Sequence, residues 1–397
     1  MNKNIKGVFP KWRFLEFKGN GDWERKKLGE MAFIVNDKIA IEKLSAETYI
    51  STENMLPNFA GVSTASQLPQ TGNFTKFKAG DILVSNIRPY LKKVWRSNKT
   101  GGASNDVIVF RSNSDVDSNF LEFILKNELF INYVMKNVKG LKMPRGDKES
   151  MLIYPVYIPP YPTFSEQQKI VDCLSSIDEL ISAEEKKLSL LNDYKKGWMQ
   201  KLFPAEGKTV PEWRFPEFKD RGEWTSDLIA NVISTIRPLK KLSTFEYKMI
   251  GRYPIVDQGQ DEFCGWTDER SSLVDFDNKV LIFGDHTCVV KLVDRPFAQG
   301  ADGIKIISTK KKISVDFLFQ YLCNSPIISN SYKRHFSELK EKTILFPDLD
   351  SGEQEKISRF LFSIDILIKK EKNKITELKQ HKKALMQGLF PAVEEVL

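Results

Sequence analysis

Residues 12–17 read WRFLEF, and residues 213–218 read WRFPEF. The match widens on both sides: FPKWRFLEF (9–17) aligns with VPEWRFPEF (210–218), and Gly21-Asp22-Trp23 with Gly222-Glu223-Trp224. A second set of matches closes each copy. SEQQKI (165–170) pairs with GEQEKI (352–357), Ser176-Ile177-Asp178 with Ser363-Ile364-Asp365, and MQKLFP (199–204) with MQGLFP (386–391). Between these anchors the halves diverge, apart from landmarks such as Gly102-Ala103 and Gly300-Ala301. The chain is therefore a tandem duplication whose ends are alike and whose middles differ. It divides into a head at 1–163, a repeated segment at 164–204, a second head at 205–350 and a second repeated segment at 351–397.

A length of 397 residues exceeds one ordinary core and suits two or three domains. With 41% hydrophobic and 28% charged residues and no long apolar run, the composition predicts a soluble chain without membrane spans. No apolar stretch follows Met1, so a secretory signal is not expected. The four cysteines show no CxxC spacing and the three histidines are scattered, which argues against a zinc site or a disulfide framework and fits the cytoplasm. A net charge of +8 favours a polyanionic partner.

Each repeated segment reads as one long helix. From Glu166 to Leu202 there is no proline, and Ile170, Leu174, Ile177, Ile181, Leu188, Leu191, Trp198 and Leu202 recur in alternating steps of four and three. The second copy repeats the seam with Ile357, Leu361, Ile364, Ile368, Ile375, Leu378, Leu385 and Leu389. Pro204 and Pro391 stop the helices, at roughly 55–60 Å each. Glu184, Lys195, Glu371 and Lys382 break the two seams at matching places. Parallel pairing would set Glu against Glu and Lys against Lys. Antiparallel pairing sets Glu184 against Lys382 and Lys195 against Glu371, with Trp198 against Ile368. These expectations describe an antiparallel intramolecular coiled coil with a pseudo-twofold axis and a head at each end, the symmetry of a DNA duplex read at two half-sites. The alternative is that the four charges reach solvent from a loose seam.

The heads supply candidate contacts for a polyanion. Residues 78–102 contain no acidic residue between Asp81 and Asp106, while Arg88, Lys92, Lys93, Arg96 and Lys99 cluster with Tyr90 and Trp95. Cations suit phosphates, and planar side chains suit sugars and bases. A solvated hairpin edge protected by lysines reads equally well from this stretch alone. Lys142 and Arg145 lie on an expected loop. In the second head, the strand-and-loop stretch at 277–293 presents His286, Thr287 and Lys291, with Gln258 and Gln260 nearby as amides able to pair with adenine. A locally hydrogen-bonded His286 is the alternative. No phosphate-binding loop of the GxxxxGKS type occurs, and the Pro159-Pro160-Tyr161 run lacks the polar residue and the glycine-rich loop of an amino-methyltransferase. No residue stands out as catalytic or metal-binding.

Taken together, the WRFLEF and WRFPEF openings of the two halves, the EQ-x-I start and LFP end of each long helix, and the head–helix–head–helix order resemble the specificity subunit of type I restriction-modification systems. The resemblance spans essentially the whole chain. It implies a mixed α/β (α+β) fold with two target recognition domains separated by an antiparallel coiled coil that sets their spacing. It also implies a non-catalytic, DNA-binding role in which each head reads one half of an asymmetric target in double-stranded DNA. The partners implied are two modification (adenine N6 methyltransferase) subunits and the restriction (translocase) subunits. S-adenosylmethionine, ATP and Mg2+ would then sit on those partners, and no cofactor on this chain. Glu166, Gln167, Glu353 and Gln354, at the start of the repeated helices, are the expected docking positions for the partners. Rival readings are a self-contained DNA methyltransferase or nuclease, and a structural coiled-coil scaffold.

Overall fold

The computed structural model describes residues 8–140, 143–160, 164–301, 303–310, 312–328 and 334–391. The chain forms two compact units, one made of residues 1–183 with 374–397 and the other of residues 184–373. Each unit thus joins one head to parts of both long helices, Phe164–Leu202 and Glu353–Leu389.

In the first unit the central sheet is antiparallel, with strands in the order Ala32–Ile34, Val107–Ser112, Ile82–Ser85 and Val94–Arg96. The strand Ile82–Ser85 is buried throughout, and its first three residues, Ile82, Leu83 and Val84, are apolar. Alternation explains this, because successive side chains point to opposite faces and each face has its own cover. Ile82 and Val84 pack with Phe120, Leu121 and Ile124 of the helix Ser118–Leu125. Leu83 packs with Ile50 and Phe77 of a second sheet. That sheet runs Lys38–Ala40, Asn73–Phe77, Gly101–Ala103, Tyr49–Ile50, its last pair parallel. Gly101 is required there, since a Cβ would stand 2.1 Å from the Thr48 carbonyl oxygen. A two-stranded ribbon, Glu24–Lys27 with Pro155–Ile158, carries the chain to the first long helix.

The second unit repeats this plan. Its central sheet is Ile233–Ile236, Ile304–Thr309, Val280–Gly284, Val290–Val293, again antiparallel. Leu281 and Phe283 face the helix Val315–Asn324, whereas Val280 and Ile282 face a separate cluster with Val256 and Phe297. The ribbon is Thr225–Leu228 with Thr343–Phe346. The second sheet is where the copies part: here it has three strands, Gly265–Thr267, Tyr253–Val256 and Ala298–Gln299.

Within each unit the long helices pair antiparallel. In the first unit Ile170 and Leu174 share a core with Leu385 and Leu389. In the second, Leu188, Leu191 and Trp198 share one with Ile357, Leu361 and Ile368. The direction is the expected one, but the register corrects the expectation by about one heptad, roughly seven residues. Trp198 meets Phe360, with ring centroids 5.2 Å apart, rather than Ile368. Lys195 bonds Asp365 at 2.6 Å rather than Glu371, and Lys382 bonds Asp178 at 2.6 Å rather than Glu184. Glu371 is held by Lys187 at 2.6 Å, which also lies 3.6 Å from Glu184. The carboxylate hydrogen bond of Glu371 raises the Lys187 ammonium above its ordinary range. The acidic partners are seam-flanking residues. A long lysine reaches them sideways while its stem covers the apolar layer, so charge alone does not select one heptad over the next.

Candidate nucleic-acid interface

The docking expectation for Glu166, Gln167, Glu353 and Gln354 is overturned by burial. All four are nearly inaccessible, at 1%, 4%, 1% and 0% of their surface. Glu166 accepts a fork from Arg13 at 2.7 and 2.8 Å, and the Trp23 indole N–H donates to it at 3.2 Å. Glu353 accepts the equivalent fork from Arg214 at 2.8 and 2.5 Å. Gln167 accepts the backbone N–H of Asp117, the residue that caps the head helix, and Gln354 accepts that of Ser314, the equivalent cap. A buried carboxylate needs such a partner, and a bidentate arginine supplies it with fixed geometry.

The hexapeptides thereby acquire a role. Each arginine also donates to carbonyls just before the second tryptophan: Arg13 to Asn20 and Gly21, Arg214 to Arg221 and Gly222. The preceding Trp12 donates its backbone N–H to Gly388 near the end of the second long helix, and Trp213 donates to Lys201 near the end of the first. Each WRF segment is therefore a clasp that ties its head to the start of one long helix and the end of the other. The sequence reading missed this role, although an Arg and a Glu recurring at both copies' ends was the available signal.

Strained backbone marks a different place. Among the described residues, five non-glycine residues have positive φ: Asn58, Phe59, Arg88, Lys92 and Cys288. Such residues are uncommon and concentrate where function requires them. Four of these five meet at the loop that follows the first head's central strand. Arg88 and Lys92 bracket the one-turn helix Pro89–Leu91, and Asn58 and Phe59 donate their N–H groups to the Leu91 and Lys92 carbonyls at 2.9 Å. The fifth, Cys288, lies in the corresponding loop of the second head, after Val280–Gly284. The two heads hold these loops in the same way. Asn86 donates to the Asp106 carbonyl and accepts from Gly146 N–H; Asp285 donates to the Gly303 carbonyl and accepts from His335 N–H. Nothing in the sequence distinguishes Asn58 and Phe59 beforehand, because their conformation is set by a loop distant along the chain.

The predicted contact residues divide into two groups. Arg88 and Tyr90 are exposed at the first loop. Arg145 joins them, pairing with Ile87 in a β-bridge and reaching Asp106 at 3.3 Å. Lys92, Lys93 and Arg96 instead serve the head itself, bonding Glu128 at 2.5 Å, the Thr52 carbonyl at 2.6 Å and Glu122 at 3.0 Å. Their geometry corrects the reading of a continuous free basic stretch. Lys142 lies outside the described residues. In the second head the Thr287 hydroxyl donates to the Gln258 carbonyl at 2.7 Å. The Gln258 Oε1 is buried without a hydrogen bond, and Gly303 packs against the amide so closely that a Cβ would stand 2.7 Å from Nε2. Gln260 is exposed and His286 half-buried. Lys291 is spent internally, donating to the carbonyls of Asp257 and Asp261 at 2.9 and 2.6 Å, and burial pushes its ammonium below the ordinary lysine range. It positions the Gln258–Gln260 loop and is not free to hold a phosphate.

No helix among the described residues is long and apolar enough to cross a membrane. Among them, no cluster of His, Cys, Asp and Glu is arranged to hold a metal.

Comparison with known proteins bears on these heads. The family described as "Type I restriction modification DNA specificity domain" matches residues 20–193 and 229–380. The type I restriction enzyme MjaVIII specificity subunit of Methanocaldococcus jannaschii is 24% identical over 93% of this chain and 92% of its own length. The type I restriction enzyme EcoDI specificity subunit of Escherichia coli is 26% identical over 44% of this chain and 41% of its own. Among solved structures, the S subunit of a type I restriction-modification system from M. genitalium superposes with a TM-score of 0.65 at 16% identity, covering 97% of this chain and all of that one. A chain from a study of assembly and conformational transition of the type I R-M system gives 0.54, also at 16% identity, covering 93% of this chain and 98% of that one. At that identity the likeness shows the fold.

Proposed function

Because the chain belongs to the type I restriction modification DNA specificity domain family, we propose that it is the non-catalytic specificity subunit of a type I restriction-modification system, each head reading one half of an asymmetric split target in duplex DNA. The observation that carries this reading is the strained loop after each head's central strand. It occurs at the same topological place in both heads and with different side chains in each. Arg88, Tyr90 and Arg145 would approach one half-site, and Gln258, Gln260, His286 and Thr287 the other. Arginine suits a guanine edge or a phosphate, and an amide suits adenine, so two unlike loops call for two unlike half-sites. The long helices would set the gap between the halves.

On this reading the chain recruits two modification subunits, which carry S-adenosylmethionine and methylate adenine N6, and restriction subunits, which use ATP and Mg2+. Since the EQ pairs are buried, the docking positions move outward. Leu180 and Leu367 occupy equivalent places on the two long helices and both are exposed. They are suitable anchors for two copies of one partner.

Mapping of methylated adenines by long-read sequencing, with and without this gene and its partner genes, tests the proposal. A split motif with two different halves that disappears with the gene is the expected result. Methylation or cleavage by the purified chain alone would instead identify a self-contained enzyme. Salt-labile binding without sequence preference in the presence of the modification subunits would identify a scaffold.

A further inference from the structure

The most exposed large apolar side chains in the described structure lie together in one short segment of the second head. Leu239, Phe245, Met249 and Ile250 are 92%, 86%, 92% and 87% exposed. Single exposed apolar residues are ordinary, but four so close along the chain require an occupant. The segment is held rigidly from beneath. Leu242 is buried, and its N–H donates to the Gln299 carbonyl at 2.9 Å. Ser243 and Glu246 close a capping box around the one-turn helix Thr244–Glu246. The Tyr247 hydroxyl accepts from Ala301 N–H at 2.8 Å, with Gly300 so close that a Cβ would stand 2.4 Å from that oxygen. The apolar groups are therefore displayed on an anchored base.

Charge and position say what covers them. Residues 237–252, RPLKKLSTFEYKMIGR, carry five cations and one carboxylate. Lys240 is paired with Glu246 and Glu269 at 3.3 and 2.8 Å and Lys248 with Asp268 at 2.8 Å, so five cations against three carboxylates leave the segment and its partners with a net charge of +2. The same backbone stretch that anchors Tyr247 through Ala301 continues to Gly303, which contacts Gln258 and accepts from Asp285 at the candidate reading loop. The base of the patch and the candidate reading loop are thus held by residues of one short segment of the same head, Gly300 and Ala301 on one side and Gly303 on the other. Apolar side chains flanked by cations are the equipment of elements that wedge between base steps while gripping the adjoining phosphates. Among the described residues the first head has no such display. Its corresponding segment forms the strand Lys38–Ala40 and buries Ile41 and Tyr49.

From this juxtaposition we infer that residues 239–250 form a DNA wedge peculiar to the second head, inserting apolar side chains at a base step that flanks its half-site. The inference rests on the DNA-reading role proposed above. It gives the two halves of the target unequal deformation, with the bend on the side of the second half-site.

The test uses the full chain assembled with its modification subunits, on the target defined by methylation mapping, with 2-aminopurine placed at successive steps on either side of the second half-site. The wild-type complex should raise the fluorescence at one flanking step, reporting unstacking. F245A, M249A and I250A combined should abolish that signal and weaken binding by about tenfold or more, leaving the methylated motif unchanged. Because these side chains are exposed, the variant should melt at the wild-type temperature. Equal fluorescence and equal affinity in the variant would overturn the wedge, as would unchanged DNA binding with loss of the modification subunits, which would make the patch a protein dock. Absence of any split motif would instead overturn the underlying reading of the heads.

Discussion

Arg13 and Arg214 show how much a single repeated residue organises. Each satisfies a carboxylate that is almost wholly buried, at the start of a long helix. Removing one partner strands the other in a low-dielectric site, so Arg214→Ala should cost about 3 kcal/mol in urea unfolding, and Arg214→Lys should recover only part because it cannot form the fork. Gly388 is the second sensitive residue. A Cβ there would stand 2.1 Å from the Trp12 ring, so Gly388→Ala should destabilise by roughly 1–3 kcal/mol, whereas Gly197, with nothing within 4 Å of its Cβ position, should accept alanine. Lys291 makes a prediction about pH. Its folded-state value is lowered by burial, so between that value and the ordinary one the unfolded chain binds more protons. Stability should therefore rise with pH through that window, and the rise should vanish in Lys291→Met when urea midpoints are compared from about pH 8 to 10.5.

At the scale of elements, the helix seam separates what periodicity decides from what it leaves open. The heptad spacing of Ile170, Leu174, Leu188 and their copies is enough to announce two long helices that bury one stripe. The matching charge breaks point to antiparallel pairing, and the pairing is antiparallel in each unit. The register is not readable in this way, because adjacent heptads offer similar layers and lysine reaches several acceptors. Charge reversal checks the observed pairs. Lys195→Asp should lower the melting temperature, and adding Asp365→Lys should restore about 0.5 kcal/mol, while adding Glu371→Lys should restore nothing.

At the scale of the molecule, each unit depends on residues from distant parts of the chain. Phe390 packs against Phe120 with tilted rings, centroids 5.4 Å apart, inside the core of the first head, although it lies near the other end of the chain. Phe203 does the same for the second head against Phe317, also at 5.4 Å. Phe390→Ala should therefore weaken the first unit by about 3–5 kcal/mol and leave the second, which hydrogen exchange on the two heads would separate. At the same scale, exchanging residues 1–163 for the head of a relative should change one half of the methylation motif and preserve the other.

The duplication, the two long helices with their proline stops, and the separation of like ends from unlike middles were all legible in the sequence, because repeats and periodicity are properties of chain order. The candidate site was legible only in outline. Of the residues the basic and amide-rich stretches offered, Arg88, Tyr90 and Gln260 are exposed, whereas Lys92, Arg96 and Lys291 are bound internally. The EQ pairs proved to be clasps and not docking positions. Which charge is paired and which is free depends on neighbours such as Glu128, Glu122 and Asp257, brought close by strand and helix packing from remote positions. The WRF hexapeptide marked each copy in the sequence. Only the tertiary structure decided that its arginine closes a buried ion pair, since a carboxylate's need for a partner arises only when folding removes water.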